Sequence, residues 1–199
     1  MTLPGRPDVE ARVNASLDSL SASLTCAPAG EPAPRPFSPD AGMMFESRAR
    51  VTHAADDVLS VSVHASYFCG TAYPTNDANL SVTYDLATGE PVPFEALFRD
   101  YDEDRAAVAG VLQTTLAPAA AGGEAASVCA DLFASPEAVA GMTFAYALTD
   151  EGVLVQPELP HVTEVCAAEA TVPYASLRAY ARDGGVLARV ADASVAAPR

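Results

Sequence analysis

The chain has 199 residues, half of them apolar, which suffices for one sizeable core and is too apolar for a disordered polymer. Twenty-six acidic residues face 11 basic ones, all arginine, for a formal net charge of -15. That balance excludes nucleic acid, whose phosphates require a basic patch, and an anionic membrane surface; it favours a cationic partner. No apolar run reaches the ~20 residues of a membrane span. The opening Met1-Thr2-Leu3-Pro4-Gly5 carries neither the basic nor the apolar region of a signal peptide. The Ala, Val, Arg and Pro bias without Lys is that of a high-GC bacterial genome.

In chain order, Val9, Val13, Leu17, Leu20 and Leu24 recur near 3.6 residues, which predicts an amphipathic helix from Asp8 to Leu24 with Asp8 as its cap. The Pro-rich run from Ala27 to Asp40 reads as an exposed connection. Met43 to His53 alternates weakly, as a strand. From Val58 the period is two: Leu59, Val61, Val63, Ala65, Tyr67 and Cys69 on one side, Ser60, Ser62, His64 and Ser66 on the other. This is a half-buried strand. Leu80, Val82, Tyr84 and Leu86 repeat the pattern after a turn-rich loop, Gly70 to Asn79. Phe94, Leu97 and Phe98 suggest a short helix, and Val108, Val111, Leu112 and Leu116 a longer one over 102–116. Pro118 to Ala126 reads as loose, and Val128 to Phe133 as a helical turn or two. Met142 to Leu148 and Val153 to Val155 form a hairpin about Asp150-Glu151-Gly152. Val162 to Cys166 reads as a short strand. Pro173 opens a helix through Leu177 and Tyr180, with one more turn after Gly184. The order of helices and strands predicts an α+β fold with an antiparallel sheet and helices packed on it.

Cys26, Cys69, Cys129 and Cys166 form no Cys-x-x-Cys pair and have no His at zinc-finger spacing. They read as two disulfides rather than four buried thiols, which places the protein outside the cytoplasm, periplasmic or secreted, with a lipid anchor left open. Of the three pairings, Cys69–Cys166 and Cys26–Cys129 are expected from the order of the elements.

Several stretches together carry a family resemblance: LPGRPDVEARVNASL (Leu3 to Leu17), VLSVSVHASYFCGTAY (Val58 to Tyr73), YDLATGEPVPFEALF (Tyr84 to Phe98), LTDEGVLV (Leu148 to Val155) and VPYASL (Val172 to Leu177). In order and spacing they resemble the extracytoplasmic domain family of the lysozyme-sensing anti-sigma factor RsiV and of the peptidoglycan deacetylase PdaC. Thr71 and Tyr73 stand where that family has Gly and His. The resemblance implies residues 1–57 as a PdaC-like helix, connection and strand, and 58–199 as an RsiV C-terminal-like α+β domain, packed as one unit. It also implies a recognition or accessory role in the cell envelope, with a lysozyme-like protein or cell-wall glycan as partner.

No catalytic motif is present: no Gly-x-Ser-x-Gly elbow, no phosphate loop and no histidine pair at metal-ligand spacing. The expected reading is therefore non-enzymatic, without cofactor or metal. The alternatives are a glycan hydrolase or deacetylase working through carboxylates, or a structural envelope protein. The candidate binding residues are Gly70, Tyr73, Pro74, Asn76, Asp77 and Asn79 of the long loop, whose aromatic and amide groups suit protein or glycan contact. To these the Pro-broken segment adds Glu158, His161 and Glu164.

Overall fold

The computed structural model describes residues 2–23, 43–55, 57–69, 76–121 and 126–196. Among them the fold is α+β, with antiparallel sheets. The helices are α1 (Pro7–Ser23), α2 (Tyr101–Ala120), α3 (Ala126–Leu132), α4 (Pro136–Ala140), α5 (Tyr174–Leu177) and α6 (Val186–Ala196). The strands are β1 (Met44–Ala55), β2 (Val58–Phe68), β3 (Asn76–Asn79), β4 (Val82–Asp85), β5 (Glu90–Pro91), β6 (Phe144–Leu148), β7 (Gly152–Pro157) and β8 (Ala170–Pro173).

A five-stranded sheet runs β1-β2-β4-β5, with β3 also on β2. One half of β2 pairs with β4 (Val58 opposite Asp85) and the other half with β3 (His64 opposite Asn79). The side chains of β2 sort by period two, as the sequence requires. Leu59 and Val61 join Val13 and Tyr84 in a core under α1, and the Tyr84 hydroxyl donates to Ser16 Oγ at 3.0 Å. Val58, on the opposite face, belongs to the main core.

The second sheet, β6-β7-β8, packs on the first through β6, while α2 and α5 pack on β8. Phe144, Tyr146 and Leu148 enter the main core with Leu112 and Leu116 of α2 and Leu187 of α6. The intervening Ala145 and Ala147 are small and buried, and β6 packs against β2 and β4. Ser60 completes that junction. Its Oγ accepts the Leu148 N–H at 2.9 Å and shares a 2.8 Å hydrogen bond with Thr83 Oγ1, and neither hydroxyl residue reaches solvent. The serine face of β2 is thus an inter-sheet contact. Gly152 permits the β7–β8 approach, because a Cβ there would collide with the Val172 carbonyl.

Several expectations are corrected. The run Asn76–Asn79, read as loop, is strand β3, because it has a register to fill on β2. The second strand of the hairpin is Val82–Asp85, since Leu80 and Ser81 form the break between β3 and β4. Residues 162–166 form a 3₁₀ helix (His161–Cys166) instead of a strand: Pro160 removes a donor, and Thr163 N–H turns back to its carbonyl at 2.8 Å. β8 takes the strand position. Helix α2 runs on through Pro118, and the C-terminal turn is the 11-residue α6. The first helix begins at Pro7, which leaves Asp8 in the first turn, where its charge meets the helix dipole.

The expected disulfide pairing is also corrected. Cys129 of α3 is bonded to Cys166, which removes both expected pairs at once. Both residues are buried in the main core, which brings α3 against the 3₁₀ helix. Cys69 is likewise disulfide-bonded, and Cys26 lies outside the described residues.

Candidate functional site

Along one face of β2 lie Ser60, Ser62 and His64. The first of these is sealed by β6, the second bonds Ser81 Oγ at 3.3 Å, and the third opens onto a groove. That groove has a volume of about 440 Å³. Its walls come from two places: His64 of β2 with Asp77, Asn79 and Leu80 of the β3 end, and Gln156, Glu158 and Glu164 of the Pro-broken segment. Ala145 of β6 also lines it.

Hydrogen bonds fix the two walls to each other. Asn79 Nδ2 donates to Gln156 Oε1, while Asn79 Oδ1 accepts from Ser81 N–H at 3.1 Å and Ser81 Oγ at 2.6 Å. Gln156 Nε2 donates to the Ala167 carbonyl at 2.8 Å, so the chain linking β3, β7 and the segment before β8 is continuous. Two carboxylates face this polar brace from opposite walls. Asp77 Oδ1 stands 3.6 Å from His64 Nε2, both about half exposed. Glu158 Oε2 accepts from Thr143 Oγ1 at 3.1 Å. Glu164 is the third carboxylate, on the 3₁₀ helix that the Cys129–Cys166 bridge anchors.

No arginine lines the groove among the described residues. The arginines lie elsewhere: Arg178 holds Asp192 through two bonds of 2.8 and 3.0 Å, Arg189 meets Asp85 at 2.9 Å, and Arg6 meets Asp57. The Arg178 guanidinium draws the Asp192 carboxyl below its ordinary range. A second depression, about 560 Å³, adjoins the groove and shares Asn79, Leu80, Ala145 and Glu158 with it; Val82, Pro91, Val92 and Phe94 make it more apolar. The combined trough is acidic and amide-lined at one end and apolar at the other. It can take a cationic group beside an apolar one. Among the described residues no group of three His, Cys, Asp or Glu side chains could hold a metal ion.

Of the residues singled out from the sequence, Asp77, Asn79, Glu158 and Glu164 meet in this groove. Asn76 is in β3, opposite Tyr67, and does not line it. His161 begins the 3₁₀ helix. Gly70, Tyr73 and Pro74 lie outside the described residues. Sequence reasoning passed over His64, Leu80, Ala145 and Gln156. The signal for His64 was its place two and four residues beyond Ser62 and Ser60 on one face of β2.

These features define an α+β domain of two stacked antiparallel sheets with a polar groove at their open end. The same fold is found in the crystal structure of a DUF3298 family protein from Pseudomonas aeruginosa PAO1. The TM-score is 0.54 at 16% sequence identity, over 91% of this chain and 82% of that one. No family model and no curated protein matches the chain. No described helix is long and apolar enough to cross a membrane.

Proposed function

We propose that the protein is an extracytoplasmic, non-enzymatic binding module of the cell envelope, related to the RsiV- and PdaC-type domains and to the DUF3298 protein whose fold it shares. Its ligand seat is the groove between β3 and the segment from Gln156 to Glu164. The observation that carries this reading is the meeting of Asp77, Glu158 and Glu164 in a groove without arginine, on a chain of net charge -15. Such a surface accelerates association with a basic partner and makes the rate fall with salt. A lysozyme-like protein is the leading partner, with cell-wall glycan second. The disulfide supports an oxidising compartment.

Titration calorimetry with a lysozyme and with an unrelated protein of equal basicity tests the reading. Tighter binding of the lysozyme that survives moderate salt is expected. Equal affinities that vanish together with salt would reduce the interaction to general charge attraction. Incubation with peptidoglycan fragments is expected to give no turnover. Turnover abolished by Glu158→Gln or Glu164→Gln would replace the binding module with a carboxylate enzyme.

A further inference from the structure

The outer edge of β1 has no strand beside it among the described residues. From Met44 to Val51 every residue is exposed, with Val51 at 55% and Met44 at 67%. A long edge with water on both faces is a template for another strand. Proteins keep such an edge single by shortening it, bulging it or placing charged side chains along it. Here the only register shift against β2 comes at the far end, between Val51 and His53. The run before it carries both signs.

That run is complementary to itself. Two copies laid antiparallel about a twofold axis at Arg48 place Glu46 opposite Arg50 of the second copy, and Arg50 opposite its Glu46. Opposed residues in an antiparallel pair share a face and sit within reach of one another, so both are favourable cross-strand ion pairs. On the other face Val51 falls opposite Phe45 of the second copy, and Ala49 opposite Ser47. The two Arg48 side chains meet at the axis, and each already holds the Glu46 of its own strand at 2.7 Å. The strand is also locally basic: Arg48 and Arg50 against Glu46, on a chain of -15. Two such chains repel least where these edges meet.

We propose that two copies of this chain pair through β1, antiparallel about Arg48, so that the two five-stranded sheets become one. β3 lies on the other side of β2 from β1. The pair therefore leaves both grooves open and presents them together, which would raise avidity for a partner with repeated sites. The proposal does not depend on what the groove binds.

Sedimentation velocity of the full chain over a range of concentrations tests it, with a concentration-dependent dimer expected. Arg50→Glu sets glutamates against Glu46 of the second copy and should give monomer with an unchanged circular dichroism spectrum. Adding Glu46→Arg to that variant should restore the dimer. Mild oxidation of Arg48→Cys should cross-link two chains at position 48, whereas Ala49→Cys should not cross-link at 49. Monomer at every concentration, a dimer indifferent to Arg50→Glu, or cross-linking at 49 in place of 48 would each overturn it.

Discussion

β1 and β6 are both antiparallel strands, and both alternate in sequence. Yet all five residues of β6 are buried and the first eight of β1 are exposed. The difference lies in what stands on each side. β6 packs on the first sheet, where the Leu148 N–H meets Ser60 and the Tyr146 hydroxyl donates to the Val92 carbonyl, and the Phe94 ring lies against Phe144 and Tyr146. The outer part of β1 has no such cover among the described residues. A strand's burial is set by the layers stacked on its sheet, and its own pattern reports only which face would be buried if a layer came. β6 is enclosed along its whole length, whereas β1 leaves not only its charged residues but also Met44, Phe45 and Val51 exposed.

The comparison can be broken at several points. Leu112→Ala, in the core that covers β6, should cost about 2–5 kcal/mol in denaturant unfolding, because it empties a fully buried site. Val51→Ala on β1 should stay within about 0.5 kcal/mol. Equal costs would remove the distinction between the strands. Replacing both Cys129 and Cys166 with alanine should lower stability by ~2–4 kcal/mol. Non-reducing peptide mapping should find those two residues joined. Ser60→Ala leaves the Leu148 N–H without its acceptor between the sheets and should cost about 1–3 kcal/mol, more than the same change at Ser66.

The smallest effect at neutral pH is the one written in the buried phenols. Burial raises the pKa of Tyr146, whose hydroxyl donates to the Val92 carbonyl, and of Tyr174, whose hydroxyl donates to the Thr149 carbonyl at 2.6 Å. A folded-state pKa raised above the unfolded value gives stability that is complete below the ordinary value of 10.0 and is lost as pH rises through the folded value. Stability should therefore hold at neutral pH and fall on the alkaline side. Tyr146→Phe should flatten that alkaline limb, as read by urea midpoints across pH.

The periodic elements were legible in the sequence: α1, the β1–β2 hairpin, α2 and the β6–β7 hairpin all follow repeats of 3.6 or two. What stayed hidden depended on tertiary context. Ser60 and Ser62 read as a polar face, and only the stacking of β6 makes Ser60 an interior hydrogen-bonding group. Val162 and Val165 suggested a strand, but they are 86% and 73% exposed on a 3₁₀ turn closed by Ala167 N–H to the Glu164 carbonyl, so no core drew them into a sheet. The disulfide followed the docking of α3 on that turn, which no spacing encodes. The two groove walls lie some eighty residues apart in sequence, Asn79 to Gln156, yet a hydrogen bond joins them.

The most direct test of the account is binding by a groove variant. Asp77→Asn, Glu158→Gln and Glu164→Gln combined remove the carboxylates while keeping their shapes and, at Glu158, an oxygen to accept from Thr143. With a lysozyme as titrant at fixed moderate salt, the combined variant should bind about tenfold more weakly or worse, on the order of 1.4 kcal/mol. A control removing three acids that line neither depression, Asp150→Asn and Glu151→Gln at the other end of the β6–β7 hairpin and Asp183→Asn near Arg178, should change affinity little. Equal loss in both variants, or none in the first, would contradict the groove as the ligand seat.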